Sequence, residues 1–229
     1  MEINYKNLWQ QLDSFFSKYP LNKYKKKDLI FETLGASENV FFVKSGYVRV
    51  FRVNEDGEEL TLTILKANDF FPLTLGGTYL MNYSLEALTS LEIYKAPREH
   101  FLNFVQAHPP IFYDLITFIS MRLGGLLARI EFLVTGHAHS KVAAAVLACA
   151  RRFGSERGSS IVVDLPLTHK DIATFVGITR ETACLEMKKL ERKGLIAHEK
   201  RILIVKDISG LEHESLVETE ERLLLNNSL

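Results

Sequence analysis

An α+β chain is predicted, on three observations. Short apolar runs split by turn signals occupy residues 28–94, and a long amphipathic helical pattern follows from 109 to about 135. Residues 168–194 then read as two short helices joined by a glycine, with two apolar strands after them. This order divides the chain into a helix and β-roll unit at 1–108, a long helix and hinge at 109–138, a compact helical unit at 139–210 and an acidic tail at 211–229.

Tyr5 to Phe16 is expected as a short helix preceding the strands. The runs Val40-Phe41-Phe42-Val43, Val48-Arg49-Val50-Phe51 and Leu60-Thr61-Leu62-Thr63-Ile64-Leu65 are strand candidates. Ser45-Gly46 and Asn54-Glu55-Asp56-Gly57 supply the turns between them, and Asn68-Asp69 supplies a corner, because asparagine tolerates the left-handed conformation. Many short strands at this spacing imply a barrel or a roll, here a double-stranded β-helix.

Pro109-Pro110 starts the long helix and Gly136 stops it, leaving room for about 26 residues. Ile116, Ile119, Leu123, Leu126, Ile130 and Leu133 recur at spacings of three and four, a heptad seam running about 26 Å at 1.5 Å per residue. Such a seam pairs with its copy in a second subunit, and homodimerisation is expected. A single amphipathic helix lying on its own domain would give the same stripe. Gly124 and Gly125 interrupt this helix at a cost of about 1 kcal/mol each. They fall at outer heptad positions, which leaves room for an effector or a joint, or else lets a strand pack closely.

In the pair of short helices, Thr168 is placed to cap the first with Asp171 in its first turn. Ala173 is the small residue at the helix crossing and Gly177 the turn residue. Ile172, Val176, Ile178, Ala183, Met187 and Leu190 form the shared core, and Gly194 ends the second helix. This is the helix-turn-helix pattern, and it points to double-stranded DNA. Thr179, Arg180, Glu181 and Thr182 occupy the N-terminus of the second helix, the end that enters the major groove in this motif. Arg180 has the fork for guanine O6 and N7, and Glu181 can accept from cytosine N4. An ordinary helical hairpin with a solvated first turn is the plainer account. Leu195-Ile196-Ala197-His198 and Arg201-Ile202-Leu203-Ile204-Val205 add a two-stranded wing, with Lys200 and Arg201 at its tip. With Lys170 and Lys188, these two suit phosphate contacts that set register and carry no sequence information.

Charge divides in the same way. Lys/Arg and Asp/Glu balance at 28 each, yet residues 140–210 hold 13 basic against 8 acidic side chains and 211–229 hold 1 against 5. Only the helix-turn-helix region suits a polyanion. No run of about 18–20 apolar residues is seen and the N-terminus is polar, so a cytoplasmic protein outside the membrane is expected. Cys149 and Cys184 are the two cysteines, which excludes a disulfide framework and a four-cysteine metal or iron–sulfur site. The tail from Leu211 reads as a helix folding back on the protein, with an autoinhibitory or partner-binding role as the alternative to plain packing.

Taken together, Phe42-Val43-Lys44-Ser45-Gly46-Tyr47-Val48-Arg49-Val50, the Asp56-Gly57 hairpin, Asn68-Asp69-Phe70 and above all Gly177-Ile178-Thr179-Arg180-Glu181-Thr182 resemble the CRP/FNR superfamily of bacterial transcription regulators. The resemblance covers roughly residues 20–208. It implies a homodimer whose roll senses a signal and whose long helices reposition two recognition helices on a palindromic operator. RNA polymerase is a further partner if the protein activates.

The departures are as informative. Cyclic-nucleotide-binding members carry a Gly-Glu-Leu stretch and an arginine for the phosphate, whereas residues 71–85 here hold no arginine, lysine or acid, the first acid after them being Glu86. A buried phosphate without a cation is costly. A cyclic-nucleotide-responsive regulator with a diverged pocket is the alternative. No cysteine precedes Cys149 and no histidine precedes His100, so the family's iron–sulfur and haem modes do not transfer, and no cofactor is expected. The remaining sensor is an apolar pocket from Phe70, Phe71, Tyr79 and Tyr83 with Leu126 and Leu127, for a small organic effector or for none. These aromatics would equally fill the roll. Leu185 stands where members often place an arginine, so the operator departs from the familiar palindrome. Leu185 itself either meets a thymine methyl or lies in the helix core.

β-Rolls also house metal-dependent enzymes, and His137-Ala138-His139 is a His-x-His pair. It follows the long helix and no spaced roll ligand completes it, so no metal and no catalysis are expected.

Overall fold

The computed structural model describes residues 5–31, 38–72, 83–199 and 202–215. It forms two compact units, one of residues 1–52 and 62–121 and the other of 53–61 and 122–229.

The first unit opens with helix α1 (Tyr5–Phe16), where a short helix is expected. Strands β1 (Leu21–Tyr24), β2 (Leu29–Phe31), β3 (Asn39–Ser45), β4 (Val48–Val53), β5 (Glu59–Leu65), β6 (Phe70–Phe71), β7 (Ser84–Ala87) and β8 (Leu91–Pro97) follow. They pair as two four-stranded sheets, β1-β8-β3-β6 and β2-β7-β4-β5, so the β-region is a roll of two sheets and not a closed barrel. Gly46 turns β3 into β4 at φ 88°, and a Cβ there would lie 2.2 Å from the Ser90 carbonyl oxygen, so only glycine fits. Asn68 takes φ 73°, the left-handed corner expected of it.

Alternation along β3 feeds two cores. Val40 and Phe42 join Phe70, Tyr94, Phe16 of α1, and Phe101 and Val105 of α2 (Arg98–Ala107). Ile111, Leu115 and Phe118 from the first turns of α3 (Pro109–Thr135) complete this cluster. Phe41 and Val43 instead join Val48, Val50, Leu85 and Ile93, with Phe71 and Tyr83 packed against them. The strand period of two sends neighbouring side chains to opposite faces. The expected pocket is therefore split. Phe70 is 1% exposed, with its ring 5.8 Å from Phe101 and 6.0 Å from Phe118, and it fills the α1–α2 core. Phe71 faces Tyr83 at 6.5 Å in the other cluster, and Tyr79 lies outside the described residues.

The long helix spans 27 residues from the Pro-Pro start. Arg122, Gly125 and Arg129 share a buried side, while Phe112, Tyr113, Ile116, Leu123, Leu126, Leu127, Ile130 and Val134 are exposed. Ile119 departs from the expected seam, packing against the cluster around Phe101, and Leu133 is half-buried. A straight helix of 3.6 residues per turn drifts off a 3.5 seam, which brings Leu127 and Val134 outward in their place. By length and mean composition α3 is apolar enough to cross a bilayer. Its apolar residues serve both faces, a core side and an exposed side, so the average is high although Asp114, Arg122, Arg129 and Glu131 break any continuous run.

In the second unit, α4 (Ala138–Phe153) is buried along most of its length, and β9 (Gly154–Arg157), β10 (Ser160–Val163), α5 (His169–Val176), α6 (Arg180–Arg192), β11 (Ile196–Glu199), β12 (Ile202–Val205) and α7 (Ile208–Ser215) follow it. The strands form one antiparallel sheet, β11-β12-β10-β9. Leu211 is fully buried, so the start of the acidic segment is a packed helix.

Candidate nucleic-acid interface

The turn between α5 and α6 is built from local hydrogen bonds. Thr168 accepts from the Asp171 N–H (3.2 Å) and its own N–H donates to Asp171 Oδ2 (2.7 Å), a complete capping box. Gly177 ends α5 at φ 69°, and the N–H groups of Gly177 and Ile178 both reach the Ala173 carbonyl. No atom would touch a Cβ at Gly177, so the glycine is needed for its backbone angle alone. Thr179 caps α6 by accepting from the Thr182 N–H (3.2 Å), and the two hydroxyls also meet at 3.0 Å. Ile172, Ala173, Val176, Ala183, Met187 and Leu190 are all buried and lock the two helices together.

Arg180 and Glu181 are exposed in the first turn of α6 and Thr182 is half-buried. Leu185 is 61% exposed, which excludes the core position for it and puts it on the face of Glu181 and Lys188 at spacings of four and three. Thr168 and Thr179 are exposed, but their hydroxyls cap helices. Lys170 is exposed and stands 3.6 Å from Glu59. Lys200 and Arg201 lie outside the described residues.

Behind α6, a chain of charges joins three helices. His139 of α4 meets Glu186 through Nδ1 and Glu214 through Nε2, each at 2.8 Å, while Lys189 holds Glu186 at 2.7 Å and Lys193 holds Glu214 at 2.6 Å. Carboxylates only accept, so both bonds coexist when both ring nitrogens carry protons. Among the described residues no group of three or more His, Cys, Asp or Glu is placed to hold a metal ion, and His139 is committed to these carboxylates. Burial raises the Glu186 carboxyl, but hydrogen bonds from Lys189 and His139 outweigh it and leave it lowered. Lys193 and then His139 lower Glu214. A carboxyl lowered by folding contributes stability above its unfolded value and loses it as pH falls through the folded one. We therefore expect wild-type stability to decline below the ordinary glutamate range near 4.5, and Glu214→Gln to flatten that decline by up to about 1 kcal/mol, read from urea midpoints against pH. An unchanged acid limb in the variant would remove Glu214 from the linkage.

Sequence reasoning missed β9 and β10, although the apolar run Ser160-Ile161-Val162-Val163 after Gly158 is a strand signal. It also missed Arg129, a buried arginine that no local pattern announces.

A capped helix pair with a polar, exposed start to its second helix, backed by a small antiparallel sheet, defines a winged helix-turn-helix DNA-binding protein. Residues 140–214 match the model of the Crp-like helix-turn-helix domain, and residues 21–108 match that of the cyclic nucleotide-binding domain. The global nitrogen regulator of a Nostoc strain is 28% identical over 89% of this chain and 93% of its own length. A CRP-like cAMP-activated global transcriptional regulator of Mycobacterium tuberculosis is 26% identical over 76% of this chain and 78% of its own length. In fold, the chain is similar to FixK2 from Bradyrhizobium japonicum, with a TM-score of 0.76 and 20% identity over 88% of this chain and 99% of that one. The chain belongs to the CRP/FNR family and is a DNA-binding transcription regulator.

Proposed function

We propose that this regulator acts as a homodimer, paired along the exposed face of α3, and that α6 reads each half of a palindromic operator. The observation that carries this reading is the apolar stripe on α3, where Leu123, Leu127, Ile130 and Val134 are 57, 60, 58 and 79% exposed. A run of apolar side chains at helical spacing lowers its free energy by pairing with another such run, and two copies of α3 supply one. Arg180 and Glu181 act on base edges, with Thr182 and Leu185 beside them and Leu185 meeting a thymine methyl. Thr168, Lys170, Thr179, Lys188, Lys200 and Arg201 contact phosphates. A protein that binds chromosomal operators works in the cytoplasm, and RNA polymerase is its partner where it activates. Its work is binding, with no catalytic step.

Arg180→Ala tests the readout. It is expected to weaken specific operator binding by about 1–3 kcal/mol, in mobility shifts at fixed salt, while the dimer mass stays the same. Unchanged operator affinity would move base recognition off this residue.

The effector is not a cyclic nucleotide in the usual mode, because residues 71–85 hold no cation for its phosphate. We expect cyclic AMP to leave the melting temperature unchanged at concentrations that saturate a cAMP-activated relative. The match of 21–108 to the cyclic nucleotide-binding model favours a second reading, a cyclic-nucleotide-responsive roll with a diverged pocket. A saturable shift with cyclic AMP would establish that reading in place of the first.

A further inference from the structure

Arg129 is only 8% exposed, on the side of α3 away from the apolar stripe. Its Nη2 donates to two backbone carbonyls from distant parts of the chain, Thr61 at 3.0 Å and Phe175 at 2.7 Å. Its guanidinium carbon lies 3.9 Å from the centre of the Phe175 ring. Phe175 is the penultimate residue of α5, so its carbonyl is one of the last four that the helix leaves open, and a cation there also meets the favourable end of the helix dipole. The neighbouring Thr174 hydroxyl meets the Thr61 hydroxyl at 3.0 Å. Helix α3, the 53–61 segment and the end of α5 thus converge on one guanidinium.

A buried charge is tolerated only where hydrogen bonds replace its lost water, and those bonds hold only in a narrow geometry. Burial draws Arg129 down to about 10, which still leaves it cationic at neutral pH. Because α5 and α6 share a packed core, fixing the end of α5 on α3 fixes the recognition helix on the same rod.

We propose that Arg129 is the positioning residue that sets the angle of the helix-turn-helix on the long helix, and so sets the half-site spacing that the dimer accepts. This rests on the dimer reading above. With the apolar stripe on one side of α3 and Arg129 on the other, two copies of the clamp define the separation of two recognition helices, which must match about one turn of DNA.

The test uses the full-length protein with Arg129→Met, which keeps length and apolar contact with Phe175, and Arg129→Lys, which keeps the charge without the fork. Affinities are measured for a single half-site and for palindromes with the spacing changed by one or two base pairs. The wild type is expected to discriminate sharply between spacings. In Arg129→Met that discrimination falls at least about fivefold, with half-site affinity kept within about twofold, and Arg129→Lys falls between. Unchanged spacing preference in a folded Arg129→Met dimer overturns the proposal. A DNA-free arm separates the clamp from the dimer reading: amide exchange across 169–177 should rise about tenfold in Arg129→Met while β11 and β12 hold. If wild-type protein is monomeric or ignores palindromes, the dimer reading and the spacing role fall together. If exchange in α5 does not change, the clamp itself is wrong whatever the DNA shows.

Discussion

Leu123→Glu combined with Ile130→Glu is expected to leave a folded monomer whose operator affinity is at least about 100-fold below that of wild type. Both side chains stand more than half exposed on α3, so the substitutions remove little packing from the chain that carries them. Facing their copies across a two-fold axis, however, four carboxylates would enter an apolar seam, and burying unpaired like charges costs far more than the lost leucine contacts. Operator affinity falls because a dimer binds its second half-site at high effective concentration, whereas a monomer binds each half-site alone. Sedimentation equilibrium and mobility shifts with one and two half-sites measure the two effects. A double variant that still sediments as a dimer would place the subunit contact away from α3.

Phe101→Ala is expected to destabilise the first unit by about 3–5 kcal/mol, the usual cost of emptying a fully buried phenylalanine site. Phe101 is 0% exposed, and its ring centre lies 5.4 Å from Phe16, 5.7 Å from Phe15 and 5.8 Å from Phe70. One ring therefore joins α1, α2 and β6, and rigid neighbours on three sides leave the cavity little means of collapse. The urea unfolding midpoint should drop with the slope unchanged. A loss below about 1.5 kcal/mol would mean that the aromatic cluster rearranges around the gap.

How much of this was legible in the sequence follows from the range of the forces involved. Thr168 with Asp171, Gly177, Thr179 and Asn68 obey rules that act over a few residues, and each sits in the structure where those rules put it. The long helix was legible from its Pro-Pro start and its period. Adjacency in sequence says nothing about which face Phe70 and Phe71 occupy until the strand is known, and the pleat then separates them into different clusters. Ile119 fits a heptad yet packs on its own cluster, since an apolar stripe does not state which neighbour covers it. Arg129 was beyond reach for a different reason. Its acceptors are backbone carbonyls 46 and 68 residues away, and carbonyls carry no sequence signal.

The 53–61 segment has a consequence for biosynthesis. Thr61 leaves the ribosome 68 residues before Arg129, yet it belongs to the unit that α5 completes later still. Domains ordinarily fold in the order they emerge. The contact of Thr61 with Thr174 therefore forms only after α5 has been made, 113 residues later. A C-terminal fragment beginning after α3 would lack both the 53–61 segment and the arginine. Such a fragment carries the complete recognition helix without Thr61 and Arg129, the two residues that meet the end of α5.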